Sequence, residues 1–286
     1  MPETSDRQRL RPGKLPVDHL LWDSQHFKHK MGCVAWPPGL TAQTMSEEEA
    51  GLRIRAVVER ARDEKYQFLM ARTDPKETGR IHALETNGFR IMDALVTWQL
   101  WPFDPTPPIV QLPADTTITI ASQDDVPSLM EIARRAFADR TVWLDRFHAD
   151  PRIPPERANE LYAQWVKNSV PPVAPESAMA DITWIAKVRG APAGFLTADL
   201  IPEKPDEKPE ERGETIGRVP LNAVDQPYRQ RGLYRALAAT AVAWFQQQGC
   251  GRVWVRTSVA SVGVHRTWGR LGANLVNPEY TFHWWA

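Results

Sequence analysis

The sequence predicts an α/β (α+β) fold in two parts, with a mixed, mostly antiparallel sheet flanked by helices. Three observations lead there. Helix-periodic apolar stripes alternate along the 286 residues with short apolar runs of strand length. Residues 102–113 (PFDPTPPIVQLP) hold five prolines in twelve positions, too many for a helix or a central strand, and so divide the chain. Arg189-Gly190 joins two strand-like runs through a tight turn, which implies an antiparallel pair.

In chain order, residues 1–16 are polar and proline-punctuated and are expected to form a tail. Residues 17–37 read as extended, with LLWDSQHF broken by a turn before a short strand at KMGCVAW. A helix follows to about Lys65, capped by Thr44 or Ser46, with Glu47, Glu48 and Glu49 in its first turn and Leu52, Val57 and Ala61 on its apolar stripe. YQFLMAR is a buried strand, KETGRIHALETNG a short helix ended by Gly88, and residues 89–101 a strand or hairpin. This first domain, 17–101, carries no glycine-rich turn. A linker at 102–114 leads to a second domain at 115–286.

The second domain opens with a strand at TITIAS. A capped helix follows at 124–138, with Leu129, Ile132, Ala133, Ala136 and Phe137 inward, and another at 155–169. Strands are expected at 181–188, 191–201 and 215–224. Between the last two, Glu203–Glu214 is almost entirely charged or proline and reads as a solvated loop. A helix then runs to Gln248 and stops at Gly249, followed by a strand at 252–259, a helix at 261–272 and an aromatic strand at 279–285.

Composition narrows the function. Lys+Arg and Asp+Glu balance at 35 each, so no global field draws the protein to nucleic acid or to an anionic membrane, and any anion site must be local. No apolar run approaches the roughly 20 residues of a membrane span, and the first residues lack a signal-peptide core; a cytoplasmic location is expected. Cys33 and Cys250 read as reduced, buried thiols. His26, His29 and Cys33 form an H-x2-H-x3-C cluster without a second ligand pair, so no metal is expected. The sequence has no G-x-S-x-G, which argues against a hydrolase.

The stretch Asn222–Leu237 joins an apolar run, Arg218–Val224, to a helix, and its joint carries Arg229, Arg231 and Gly232. A strand end, a turn with free N–H groups and a helix N-terminus aim positive partial charge at one point. The two arginines add charges that can fork onto phosphate oxygens.

This stretch resembles the acetyl-CoA-binding motif of the GNAT superfamily of N-acetyltransferases, met by Arg229, Gln230, Arg231, Gly232 and Leu233, with Tyr234 at a position that is usually small. Aligning Leu271-Gly272-Ala273 with the family's Leu-Gly-Phe puts Ser261 at its asparagine and Trp268 at its tyrosine. In many members that tyrosine protonates the leaving thiolate, which an indole N–H cannot do. The resemblance covers 117–286. LLWDSQHF, GFRIMDALVTWQL, HADPRIP and YTFHWW are also similar to two-part acetyltransferases of amino sugars, of the dTDP-fucosamine acetyltransferase type. It implies tandem GNAT-like halves with a degenerate N-terminal half, acetyl-CoA as donor and a small-molecule amine as acceptor, in a monomer or homodimer. It also implies that Asn222, Ala223 and Val224 splay from Val253–Thr257 to admit the pantetheine arm. Asp199, His283 and His265 are then the candidate bases. Two other readings are a non-catalytic acyl-CoA-binding protein and a tRNA-dependent aminoacyl transferase; the charge balance argues against the second.

Overall fold

A computed structural model describes residues 14–37, 39–41, 44–101, 112, 114–141, 144–174, 177–201 and 215–286. The chain divides into two units, one of residues up to Met92 together with Glu279–Ala286, the other Asp93–Pro278. This differs from the expected domains 17–101 and 115–286: the last residues go with the first unit, and 93–101 with the second. The expected linker, apart from Leu112 and Ala114, the charged loop 203–214 and most of the N-terminal tail lie outside the described residues.

The first unit contains β1 (Val17–His19), α1 (Leu21–Phe27), β2 (Met31–Val34), α2 (Glu47–Asp63), β3 (Phe68–Thr73) and α3 (Thr78–Thr86), with the start of β4 (Arg90–Leu100) and the end of β11 (Asn274–Trp285). β2 pairs antiparallel with β1 and parallel with β3, whose other edge takes Tyr280–Trp285. α1 replaces the extended segment expected there. Phe27 and Asp23 are buried one turn apart, and Lys28 ends the helix in the left-handed conformation, its N–H donating to the Ser24 carbonyl. Ser24 Oγ also accepts the Met31 N–H at 2.9 Å, fixing the turn into β2. Ser46 caps α2 by accepting the Glu49 N–H. The buried stripe of α2 is Ala50, Ile54, Val57, Val58 and Ala61, which leaves Leu52 off it and 45% exposed. Residues 90–100 form one strand without a hairpin turn. His26 packs on the Trp22 and Phe27 rings, and His29 meets Trp285 edge-on.

The second unit contains β5 (Thr116–Ile120), α4 (Val126–Ala138), α5 (Arg146–Ala149), α6 (Pro155–Lys167), β6 (Ile182–Val188), β7 (Ala191–Ile201), β8 (Ile216–Arg218), β9 (Asn222–Val224), α7 (Leu233–Gln247), β10 (Arg252–Ser258) and α8 (Val262–Arg270). Its strand order is β4-β10-β8-β7-β6-β5, with β9 also on β7. Every pairing there is antiparallel except β8 with β10. The expected hairpin through Arg189-Gly190 forms, with both residues at positive φ. The five inward residues expected on α4 are all buried. α7 lies directly on the sheet: a Cβ at Gly217 would sit 2.4 Å from the Phe245 ring, so glycine permits the contact. Leu196, Leu237, Val242, Phe245, Val253 and Trp268 anchor this core.

Candidate active site

The expected single strand at 215–224 is broken, and the break makes the site. β8 pairs with β10 through Trp254↔Arg218, and the Val219 N–H donates to the Trp254 carbonyl at 3.1 Å. Pro220 then has no N–H to continue the ladder. Leu221 turns onto Thr197, which is fully buried. The Thr197 N–H and Oγ1 both donate to the Leu221 carbonyl, at 2.8 and 2.9 Å, and Oγ1 accepts the Leu221 N–H at 3.0 Å. From there the chain follows β7 as β9, with Leu196↔Asn222 and Gly194↔Val224 in register. β10 runs on to Ser258, paired with β4 on its other edge. A notch therefore opens between Asn222–Val224 and Val255–Ser258.

The edges of the notch are chemically defined. Thr197 donates to the Leu221 carbonyl, and the Asp225 N–H donates to Ala193 at 2.9 Å, so the odd-numbered residues here face β7. By strand alternation the N–H groups of Asn222 and Val224 face the notch. Gly194 lets β9 lie this close, because a Cβ there would be 2.8 Å from the Ala223 carbonyl oxygen.

Beyond Val224 a short 3-10 turn, Gln226–Tyr228, leads to Arg229 and to Gln230 and Gly232, both at positive φ. Gly232 starts α7 with no side-chain cap, so the first-turn N–H groups point out of the helix. Arg231 is exposed, its guanidinium 5.9 Å from the Tyr228 ring centre. Arg229 is occupied differently: it donates through Nε to the Val224 carbonyl at 3.0 Å and through Nη1 to Asp139. Alongside it, Arg135 forks onto Asp225 at 2.9 and 3.2 Å.

Two positions that depart from the family pattern meet. The Trp268 indole, fully buried, donates to the Tyr234 hydroxyl at 2.9 Å. Burial raises the Tyr234 phenol well above its ordinary pKa, and the indole bond offsets little of that. Ser261 starts α8, only 4% exposed, and its Oγ has no hydrogen-bond partner among the described residues.

Each of the three candidate bases has its own surroundings. Asp199, on β7, forks with Arg218, its register partner on β8, at the closed end of the notch. Both ring nitrogens of His265 are engaged: the Trp98 indole donates to Nδ1 at 2.8 Å, which assigns the proton to Nε2, and Nε2 donates to the Val259 carbonyl at 3.1 Å. His283 is 1% exposed and belongs to the first unit, opposite Met70 and edge-on to Phe68 at 4.5 Å. Sequence reasoning missed Thr197, Gly194 and the α4 contacts of the turn. Only the last left a trace, in the i,i+4 pairs Arg135/Asp139 and Asp225/Arg229. The open helix start, Arg231 and the notch-facing N–H groups of Asn222 and Val224 together fit a CoA thioester, whose pyrophosphate needs donors and whose pantetheine amides need strand-like partners.

Residues 129–273 match the Acetyltransferase (GNAT) family. The dTDP-fucosamine acetyltransferase of Escherichia coli O6:H1 is 24% identical over 74% of this chain and 79% of its own length. The spore coat polysaccharide biosynthesis protein SpsD of Bacillus subtilis is 22% identical over 98% of this chain and 86% of its own. A tandem GNAT protein from the clavulanic acid biosynthesis pathway shares the fold, with a TM-score of 0.54 and 12% identity, over 89% of this chain and 75% of that one. No described helix is long and apolar enough to cross a membrane. With the split strand, the open helix start and a family match across half its length, this chain belongs to the GNAT family and is an N-acetyltransferase.

Proposed function

We propose that the chain transfers the acetyl group of acetyl-CoA to a primary amine on a small acceptor, an amino sugar or related natural-product intermediate. The observation that carries this reading is the notch between β9 and β10 opening beside the uncapped N-terminus of α7. The N–H groups of Asn222 and Val224 bind the pantetheine amides in strand fashion, and the first turn of α7 with Arg231 receives the pyrophosphate. Ser261 Oγ supplies a further polar contact at the start of α8, and the Gln230 and Leu233 backbone shapes the turn. The names of the two relatives, a fucosamine acetyltransferase and a polysaccharide biosynthesis protein, favour a sugar amine.

In the reaction the amine attacks the thioester carbonyl, the C–S bond breaks, and the leaving thiolate takes up a proton while the new amide nitrogen gives one up. Asp199, paired with Arg218 at the closed end of the notch, accepts the amine's proton directly or through water. A thiol's ordinary pKa of about 8.5 makes the thiolate a fair leaving group, so turnover does not require a tyrosine at position 268. The test is release of free CoA from acetyl-CoA in the presence of amino sugars, including dTDP-fucosamine. Amine-dependent release with an acetylated sugar product is expected. CoA binding without release from any amine would favour a non-catalytic acyl-CoA-binding protein, and release only with charged tRNA would favour an aminoacyl transferase.

A further inference from the structure

Resemblance places Arg229 on the pyrophosphate, yet its guanidinium is turned back into the protein. The turn and α4 face each other with crossed charges. α4 and the residue after it present Arg135 and Asp139, one helical turn apart, and the turn presents Asp225 and Arg229. Arg135 forks onto Asp225, whose side chain is 9% exposed, while Arg229 binds Asp139, with side-chain exposures of 22% and 20%. Each carboxylate has a second duty. Asp225 accepts the Gln226 N–H at 3.1 Å and so starts the 3-10 turn, and Asp139 accepts the Thr141 N–H at 3.2 Å. Nε of Arg229 meanwhile covers the Val224 carbonyl at the notch edge.

We infer that Arg229 is a positioning residue, not a phosphate ligand: with Asp139, and beside the parallel Arg135–Asp225 pair, it clamps the CoA-binding turn onto α4. This inference rests on the acetyl-CoA reading above. Phosphate contact then falls to Arg231 and the α7 backbone. The crossed polarity also fixes which residues face each other, since Arg229 against Arg135, or Asp225 against Asp139, would bring like charges together. Because the clamp holds the N–H groups of the turn in place before ligand arrives, losing it weakens binding without touching the chemical step.

Titration of the full-length protein with CoA, together with steady-state kinetics and thermal melts, decides between the two roles. If Arg229 positions the turn, Asp139→Asn and Arg229→Gln each weaken CoA binding by about tenfold, the loss of one charge-assisted hydrogen bond. The double variant is then no weaker than the worse single one, KM for acetyl-CoA rises while kcat holds, and melting temperatures stay near wild type. Arg231→Ala loses affinity that no change at position 139 restores. Unchanged or tighter binding by Asp139→Asn would overturn the inference and return Arg229 to the phosphate. A wild-type protein that does not bind CoA overturns the acetyl-CoA reading and this inference with it.

Discussion

His148 shows how a single side chain ties this fold to pH. It lies in α5 with its side chain 1% exposed, Nδ1 donating to Asp145 at 2.5 Å and Nε2 against Asn159 Oδ1 at 2.8 Å. The Tyr162 ring stacks on it at 6.1 Å, Arg140 adds a like charge nearby, and the neighbouring Arg146 lies over Phe147. Burial works against the charged imidazole, but the hydrogen bond and charge of Asp145 win and raise its pKa; burial likewise opposes ionised Asp145, and His148 wins and lowers it. The raised histidine contributes stability that is fully present below its unfolded pKa of about 6.5 and is lost as pH rises through the folded value. The lowered aspartate contributes stability present above about pH 3.9 and lost as pH falls through its folded value. Thermal melts across pH should therefore plateau between those limits and decline on the alkaline side. His148→Gln should remove the alkaline decline and cost about 3 kcal/mol, as expected when a buried ion pair loses one partner; an unchanged alkaline limb would locate the titration elsewhere. The sequence could place HADPRIP before a helix, but not this pair, because residues three apart announce contact only once the backbone between them is known to be helical.

At the scale of elements, the departure of β9 from β10 matters more than any helix. Alternation and length made residues 215–224 read as one strand, and the proline inside it was the single visible sign of a break. The tie between Thr197 and Leu221 that redirects the chain spans 24 residues and leaves no local pattern. The short helix α1 was hidden for a similar reason: seven residues sustained by a serine reaching the next strand fall below what periodicity detects. By contrast the turn into α7 was legible, since helix starts and left-handed glycines are written in local sequence. Gly194→Ala tests the notch directly. Its Cβ would meet the Ala223 carbonyl at 2.8 Å and Val224 Cα at 3.2 Å, so β9 must shift toward the notch or the strand pair must strain. We expect a loss of about 1–3 kcal/mol in stability and a higher KM for acetyl-CoA. Gly190→Ala, at an open hairpin with no atom within 4 Å, serves as the control: its positive φ lowers stability but should leave that KM alone. Equal KM changes in both variants would remove the notch from cofactor binding.

For the molecule as a whole, two parts were readable from the proline-rich segment and from the absence of a phosphate turn before it. Which strands belong to which part was not. Leu95–Leu100 lie N-terminal to that segment yet pair with β10, and Tyr280–Trp285 lie at the chain's end yet pair with β3. Both runs are apolar enough to serve either unit, and local alternation specifies a face, not a partner. The consequence is that the proposed acetyl-CoA site does not separate at the prolines. A fragment of residues 115–286 keeps the turn into α7, the notch and α4. It loses β4, however, leaving the outer edge of β10 unpaired along Val253–Ser258, directly behind the strand that forms one wall of the notch. An exposed apolar edge of that length seeks other strands. The fragment should therefore be largely insoluble or aggregated and bind CoA much more weakly than the full chain. Soluble yield, size-exclusion behaviour and CoA titration measure this together; a monomeric fragment with full affinity would show that β10 holds the notch without its β4 neighbour.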